Sequence, residues 1–195
     1  MALEPPIIVW ARSRTGSSLA CLLFMEHGLW TAKVQPQNTY GYTRWGEYDY
    51  LRDKYLTKST LHDPKLFKKL CEDIVPVKTR WVVKIAIERY LEVKMVFPDS
   101  YDVFVKRNLE SATQSVLNKN GRFTYEEFKE RIANSFALMD EAYVEHGGAM
   151  IDMDQILAGD YETLKKAFEY CRVPFDSAIA DKTIKPDMWH YRYAN

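Results

Sequence analysis

Apolar positions along the chain fall into two alternating kinds of run. Ile7, Ile8, Val9 and Trp10 form a short unbroken apolar stretch after Pro5 and Pro6, the pattern of a strand buried on both faces. A polar, glycine-containing turn follows from Ala11 to Ser18. Leu19, Leu22, Leu23 and Met25 then open a helix that stops at Gly28. Strand, turn and helix make the first half of a βαβ unit. Trp81 to Ile85 is a second strand, and Ile87 to Val96 a helix. Tyr101 to Lys106 is a third strand, leading through Arg107 and Asn108 into a helix that runs to about Asn118.

Asn120 and Gly121 signal a turn. Thr124 and Glu127 form a capping-box pattern. Phe128, Ile132, Phe136, Met139 and Tyr143 follow at helical spacing until Gly147 and Gly148. Ala149 to Met153 is a fourth short strand, and Asp160 caps a last helix before Pro174. Strands alternating with helices predict an α/β fold, a central parallel sheet flanked by helices in three layers. Ligands of such sheets sit at the carboxyl ends of the strands. The residues just after Trp10, Ile85 and Lys106 are therefore the ones to inspect.

Two segments fit the alternation less well. Around 36–60, Tyr40, Tyr42, Trp45, Tyr48, Tyr50 and Tyr55 are interspersed with glycines and charges, which reads as an irregular aromatic-rich insertion. Asp63 and Pro64 then look like the start of a helix carrying Leu66, Phe67, Leu70, Cys71 and Ile74 on one face. The whole chain, 1–195, reads as a single domain, with no internal repeat or linker.

Charge narrows the functions. Lys plus Arg is 27 and Asp plus Glu is 27, a formal net charge of +0, which disfavours a nucleic-acid binder held by nonspecific contacts. It leaves open one local anion site. Cys21, Cys71 and Cys171 are scattered and odd in number, so neither a disulfide framework nor a metal cluster is expected. No apolar run is long enough to span a membrane, and Met1 to Pro6 lacks a signal-peptide pattern. The expected setting is cytoplasmic.

The turn after the first strand carries the chemistry. Ala11, Arg12, Ser13, Arg14, Thr15, Gly16, Ser17 and Ser18 occupy the strand-to-helix position of a P-loop. In the ATP-binding pattern G-x-x-x-x-G-K followed by Ser or Thr, Ala11 here replaces the first glycine and Ser17 the lysine. Backbone N–H groups and a helix N-terminus still point at an anion, hydroxyls donate, and Arg12 or Arg14 supplies charge. Without that lysine, a P-loop nucleotide kinase is the weaker reading. Farther on, Arg107 ends a strand and Ser115 lies eight residues later on the following helix, sharing a face with Ser111. That pair can converge on one phosphate.

These segments together resemble the PAPS-dependent sulfotransferases. Arg14 to Leu19 is similar to that family's 5′-phosphosulfate loop, a basic residue followed by hydroxyl, glycine and two hydroxyls. Phe97 to Asn108 resembles its Phe-Pro–strand–Arg-Asp/Asn segment, and Arg107 and Ser115 match the 3′-phosphate-binding Arg and Ser. Ile151 to Leu157 resembles the later Tyr-Glu-Asp-Leu segment, followed by a helix and Val173, Pro174 and Phe175. In order, the match runs from about residue 7 to 176.

The resemblance implies transfer of a sulfuryl group from PAPS to a hydroxyl or amine of a small-molecule or carbohydrate acceptor, leaving PAP. Arg12, Arg14, Thr15, Gly16, Ser17, Ser18, Arg107 and Ser115 would bind the co-substrate. Arg14 would stabilise charge on the bridging oxygen, and Lys84 matches a catalytic lysine near the sulfuryl group. No metal is implied. The general base does not carry over. Some members place a His two residues after the lysine, where this chain has Ala86, and others a Glu just before it, where it has Val83. His62, Glu47, Asp49 and Glu88 are the candidates left. The glycine-rich basic C-terminal loop of cytosolic members is absent, with Lys185, His190 and Arg192 as partial substitutes. An alternative is a noncatalytic PAP- or nucleotide-binding module of the same fold.

Overall fold

In the computed structural model, residues 3–12, 15–31, 68–69, 71–73, 75–117 and 124–184 are described. Among these residues four strands form one sheet: β1 (Ile7–Ala11), β2 (Val82–Ala86), β3 (Tyr101–Lys106) and β4 (Ala149–Asp152). Their order is β2-β1-β3-β4, and every pairing is parallel. The sheet is thus the parallel one that the alternation of runs predicts. β1 lies between β2 and β3, which is why all five of its residues are buried and apolar.

The chain moves from β1 to one side of the sheet and then crosses to the other. The strand order therefore reverses at β1. The segments that leave β1 and β3 start out toward opposite sides, and it is at such a reversal that sheets of this kind hold ligands. Helices cover both faces: α1 (Ser17–Glu26), α2 (Tyr90–Val96), α3 (Leu109–Leu117), α4 (Tyr125–His146), α5 (Met153–Leu157), α6 (Glu162–Tyr170) and α7 (Ser177–Thr183). Ile7 and Val9 pack with α1 residues Leu23 and Phe24 and α6 residue Phe168. Ile8 and Trp10 face the other way, toward Tyr90, Val93 and Met139. This two-sided burial is the period-two consequence of a strand covered above and below.

Several local expectations hold. Thr124 and Glu127 close the capping box at the start of α4, the Thr124 hydroxyl accepting from the Glu127 N–H and the Glu127 carboxylate from the Thr124 N–H. Phe128, Ile132 and Met139 face the core, whereas Tyr143 is 41% exposed with its ring edge against Phe104. Others need correction. The helix after Asp160 is not the last among the described residues, because α7 follows Pro174, capped by the Asp176 carboxylate on the Ala178 N–H. β4 ends at Asp152, not Met153, since the Asp152 carboxylate accepts from the Asp154 and Gln155 N–H groups and starts α5. The stretch read as one helix from Ile87 begins as a 3₁₀ turn, Ile87–Arg89. The aromatic insertion at 36–60 lies outside the described residues, as does most of the helix expected after Asp63, of which 68–69 and 71–73 are helical.

Candidate active site

The loop after β1 closes on itself before α1 begins. Thr15 is fully buried, and its hydroxyl donates to the Arg12 carbonyl at 2.9 Å. Gly16 follows at the N-cap of α1 with φ +92, the left-handed region that suits glycine. A side chain there would also collide with Met153, whose Cγ lies 2.5 Å from the position a Cβ would take. The glycine thus lets the first segment of the sheet edge touch the last one. Ser17 is buried at the start of α1, and Ser18 follows it.

Lys84 reaches the same turn from the neighbouring strand. It stands in register with Val9, and its Nζ donates to Ser18 Oγ at 3.0 Å. Cys21, one turn farther along α1, feels that ammonium, yet burial dominates and pushes its thiol up to about 12. Cys71 and Cys171 are likewise buried, with thiols pushed up to about 12. All three are free, and none has the character of a nucleophilic thiolate.

β3 delivers the second half of the site. Lys106 and Arg107 leave its carboxyl end. The Asn108 side chain accepts from the Ser111 N–H at 3.1 Å and so starts α3. Arg107 keeps only 11% of its side chain exposed, and Ser115 is buried two turns into α3. Asp154, from the first turn of α5, accepts from Arg107 Nε at 3.3 Å and from the Asn108 backbone N–H. A cleft of about 370 Å³ opens here, lined by Lys106, Arg107, Asn108, Met150, Asp152 and Asp154.

The remaining expected residues divide. Arg12 forms an ion pair with Glu88, which also accepts from the Ser135 hydroxyl at 2.9 Å. Two residues of the expected list therefore bond each other, tying the loop after β1 to the 3₁₀ turn and to α4. Arg14, Glu47, Asp49 and His62 lie outside the described residues. The sequence reading missed Asp154, Met153 and Ser135. Asp154 and Met153 sit inside the quoted Ile151–Leu157 segment, so position could have flagged them. Ser135 carries no such signal, because a serine on a long helix ordinarily faces solvent.

No protein-family model matches the chain, and no curated protein is significantly similar to it. Solved structures do resemble it. The sulfotransferase STF9 from Mycobacterium avium superposes with a TM-score of 0.61 over 94% of this chain and 67% of its own, at 13% identity. The sulfotransferase domain from the curacin biosynthetic pathway superposes at 0.62 over 98% of this chain and 82% of its own, at 15% identity. The chain has the sulfotransferase fold. No helix among the described residues is long and apolar enough to cross a membrane.

Proposed function

We propose that the chain is a sulfotransferase that moves a sulfuryl group from PAPS to a hydroxyl or amine of a small-molecule or carbohydrate acceptor and releases PAP. The observation that carries this reading is that the Thr15–Ser18 turn, with the Lys84 ammonium bonded to it, and the Arg107/Ser115 pair follow the carboxyl ends of neighbouring parallel strands. The turn supports a role in holding the 5′-phosphate: its N–H groups and hydroxyls stand at the positive end of a ten-residue helix. Lys84, hydrogen-bonded to a hydroxyl of that turn, is suited to meet the charge that grows on the leaving phosphate as the S–O bond breaks. Arg14 would share that task. Arg107 and Ser115 would read the 3′-phosphate, the group that separates PAPS from ATP. The aromatic-rich 36–60 segment would supply contacts to the acceptor, and residues 1–195 would act as one cytoplasmic domain.

Calorimetry with PAP and ADP tests the donor half. PAP should bind roughly 10- to 100-fold more tightly, the worth of about 1.5–3 kcal/mol for a charge-assisted contact. Arg107→Ala should abolish the difference, and equal affinity of the wild type for both nucleotides would overturn the reading. Labelled PAPS with a panel of hydroxyl and amine acceptors tests the transfer half.

A second reading has its own observation. On β2 the position before Lys84 is Val83, 1% exposed, and the position two after is the exposed Ala86. Neither can take a proton. A noncatalytic PAP-binding module would therefore bind PAP selectively and transfer sulfate to no acceptor.

A further inference from the structure

Three described cations at the carboxyl edge of the sheet are each held by a carboxylate: Arg12 by Glu88, Lys106 by both oxygens of Asp140 at 2.7 Å, and Arg107 by Asp154 at 3.3 Å. Much of the positive charge at the edge that would meet a nucleotide with phosphates at both ends is thus neutralised from within. The Asp154 contact differs from the other two. Its oxygens take one guanidinium N–H and one backbone N–H at the start of a nine-residue helix. Those are the donor types that a phosphate oxygen takes at a strand-to-helix junction. Asp154 stands where an anion would stand.

We propose that Asp154 is an internal surrogate for phosphate, and that the 3′-phosphate of the nucleotide displaces its carboxylate from Arg107 and the Asn108 amide. This inference rests on the sulfotransferase reading above. Mobility favours the exchange in one direction. Arg107 is 11% exposed and fixed in place, whereas Asp154 is 40% exposed and borders the cleft of about 370 Å³. Its carboxylate can turn into water and be rehydrated at little cost. The backbone beneath it need not move, because the Asp152 carboxylate, not that of Asp154, holds the first turn of α5. Binding then trades a carboxylate for a phosphate carrying more charge and a third oxygen. On release, Asp154 recaptures the Arg107 Nε–H and the Asn108 amide that a bisphosphorylated product gives up. Asp154 thereby sets donor affinity and eases product release.

The test is calorimetry of wild type, Asp154→Asn and Asp154→Ala with PAP and with ADP, each variant first checked for an unchanged melting temperature. Removing the competing charge should tighten PAP roughly tenfold, about 1.4 kcal/mol, and leave ADP unaltered. If the wild type prefers PAP and the Asp154 variants bind it equally or more weakly, the exchange is overturned and the sulfotransferase reading stands. If no form prefers PAP, both fall. A wild-type preference that widens on removing Asp154 supports the exchange directly. Should the variants not fold, the wild type still decides the matter by amide NMR. The Asn108 N–H resonance should move on saturation with PAP and stay in place with ADP. An Asn108 resonance that PAP leaves unmoved would overturn the exchange.

Discussion

Lys84 Nζ donates to Ser18 Oγ at 3.0 Å and so bridges the second strand to the first turn of α1. Its neighbours Arg12, Lys106 and Arg107 bond carboxylates, while the described partner of Lys84 is a neutral hydroxyl. A hydroxyl fixes the direction of the ammonium without cancelling its charge. Such an ammonium is prepared to stabilise negative charge that appears only in the transition state.

Lys84→Met should therefore lower kcat for transfer by about 10²- to 10³-fold, some 3–4 kcal/mol, as removal of one charge-stabilising donor does elsewhere. PAP affinity should fall by less than kcat does: the released 5′-phosphate still carries charge for Lys84 to meet, but it is free to relax away from the transition-state position. Single-turnover rates with labelled PAPS, set beside PAP titrations, separate the two effects. A variant with full kcat would remove Lys84 from the chemistry. Ser18→Ala should cost less, since the ammonium loses its guide and keeps its charge.

Gly16 tests the packing of the site rather than its charge. Its φ of +92 disfavours any side chain, and a Cβ would press into Met153. Gly16→Ala should destabilise the fold by about 2–4 kcal/mol, the sum of the left-handed penalty and the overpacking. Gly16→Ala with Met153→Ala should not restore the wild-type value, because the backbone term survives and a cavity is added. Urea unfolding of the two variants measures both. Recovery to wild-type stability in the double variant would show that only the contact mattered.

What the sequence made legible follows from range. Ile7 to Trp10, the Tyr101–Lys106 strand and the Thr124 capping box are decided by neighbours within a few residues, and they stand where expected. The turn expected to run to Ser18 gives way two residues earlier, because α1 already begins at Ser17. The ion pairs were not legible. Arg12 with Glu88 and Arg107 with Asp154 join residues 76 and 47 positions apart, and nothing local in an arginine says which carboxylate it will meet. A list of cations at strand ends reads as an open anion site, whereas the folded chain brings a carboxylate to several of them. The short helix directly after β4, α5, was also missed, because Asp152 reads equally well as part of a strand and as the cap that its contacts show it to be.

Asp102 anchors the other face of the sheet. It is 2% exposed and accepts from Trp10 Nε1 at 2.9 Å, Ser100 Oγ at 3.0 Å and Lys94 Nζ at 2.8 Å. Tyr90 sits beside it, and burial first, then the Asp102 charge, drives its phenol above the ordinary range. Asp102→Ala leaves the Trp10 indole N–H without its acceptor and takes the counter-charge from Lys94, which keeps the Pro98 carbonyl and the Ser100 hydroxyl, so the expected loss is about 3 kcal/mol. Asp102 lies four residues before Lys106, toward the amino end of β3, so the surviving folded fraction should bind PAP as the wild type does. Denaturant midpoints and PAP titrations check the pair. A stable variant with lost PAP binding would place Asp102 in the site instead of the scaffold.

The three thiols give a pH prediction with a definite sign. Burial is the leading cause that raises Cys21, Cys71 and Cys171 to about 12 in the folded state, against an ordinary value of 9.0. The unfolded chain therefore releases these protons at lower pH than the folded chain does. The stability tied to the protonated thiols is complete below about pH 9 and is lost as pH rises toward 12. Each thiol steepens the loss by up to about 1.4 kcal/mol per pH unit. Melting temperatures measured from pH 7.5 to 10.5 should fall above pH 9, and replacing Cys71 by Ala should flatten the fall even if it lowers stability at neutral pH. A thiol-reactive dye should find almost no thiol in the native protein at pH 8 and three per chain in urea. Rapid native labelling would mean that the core around α1 and α6 opens far more readily than its packing implies.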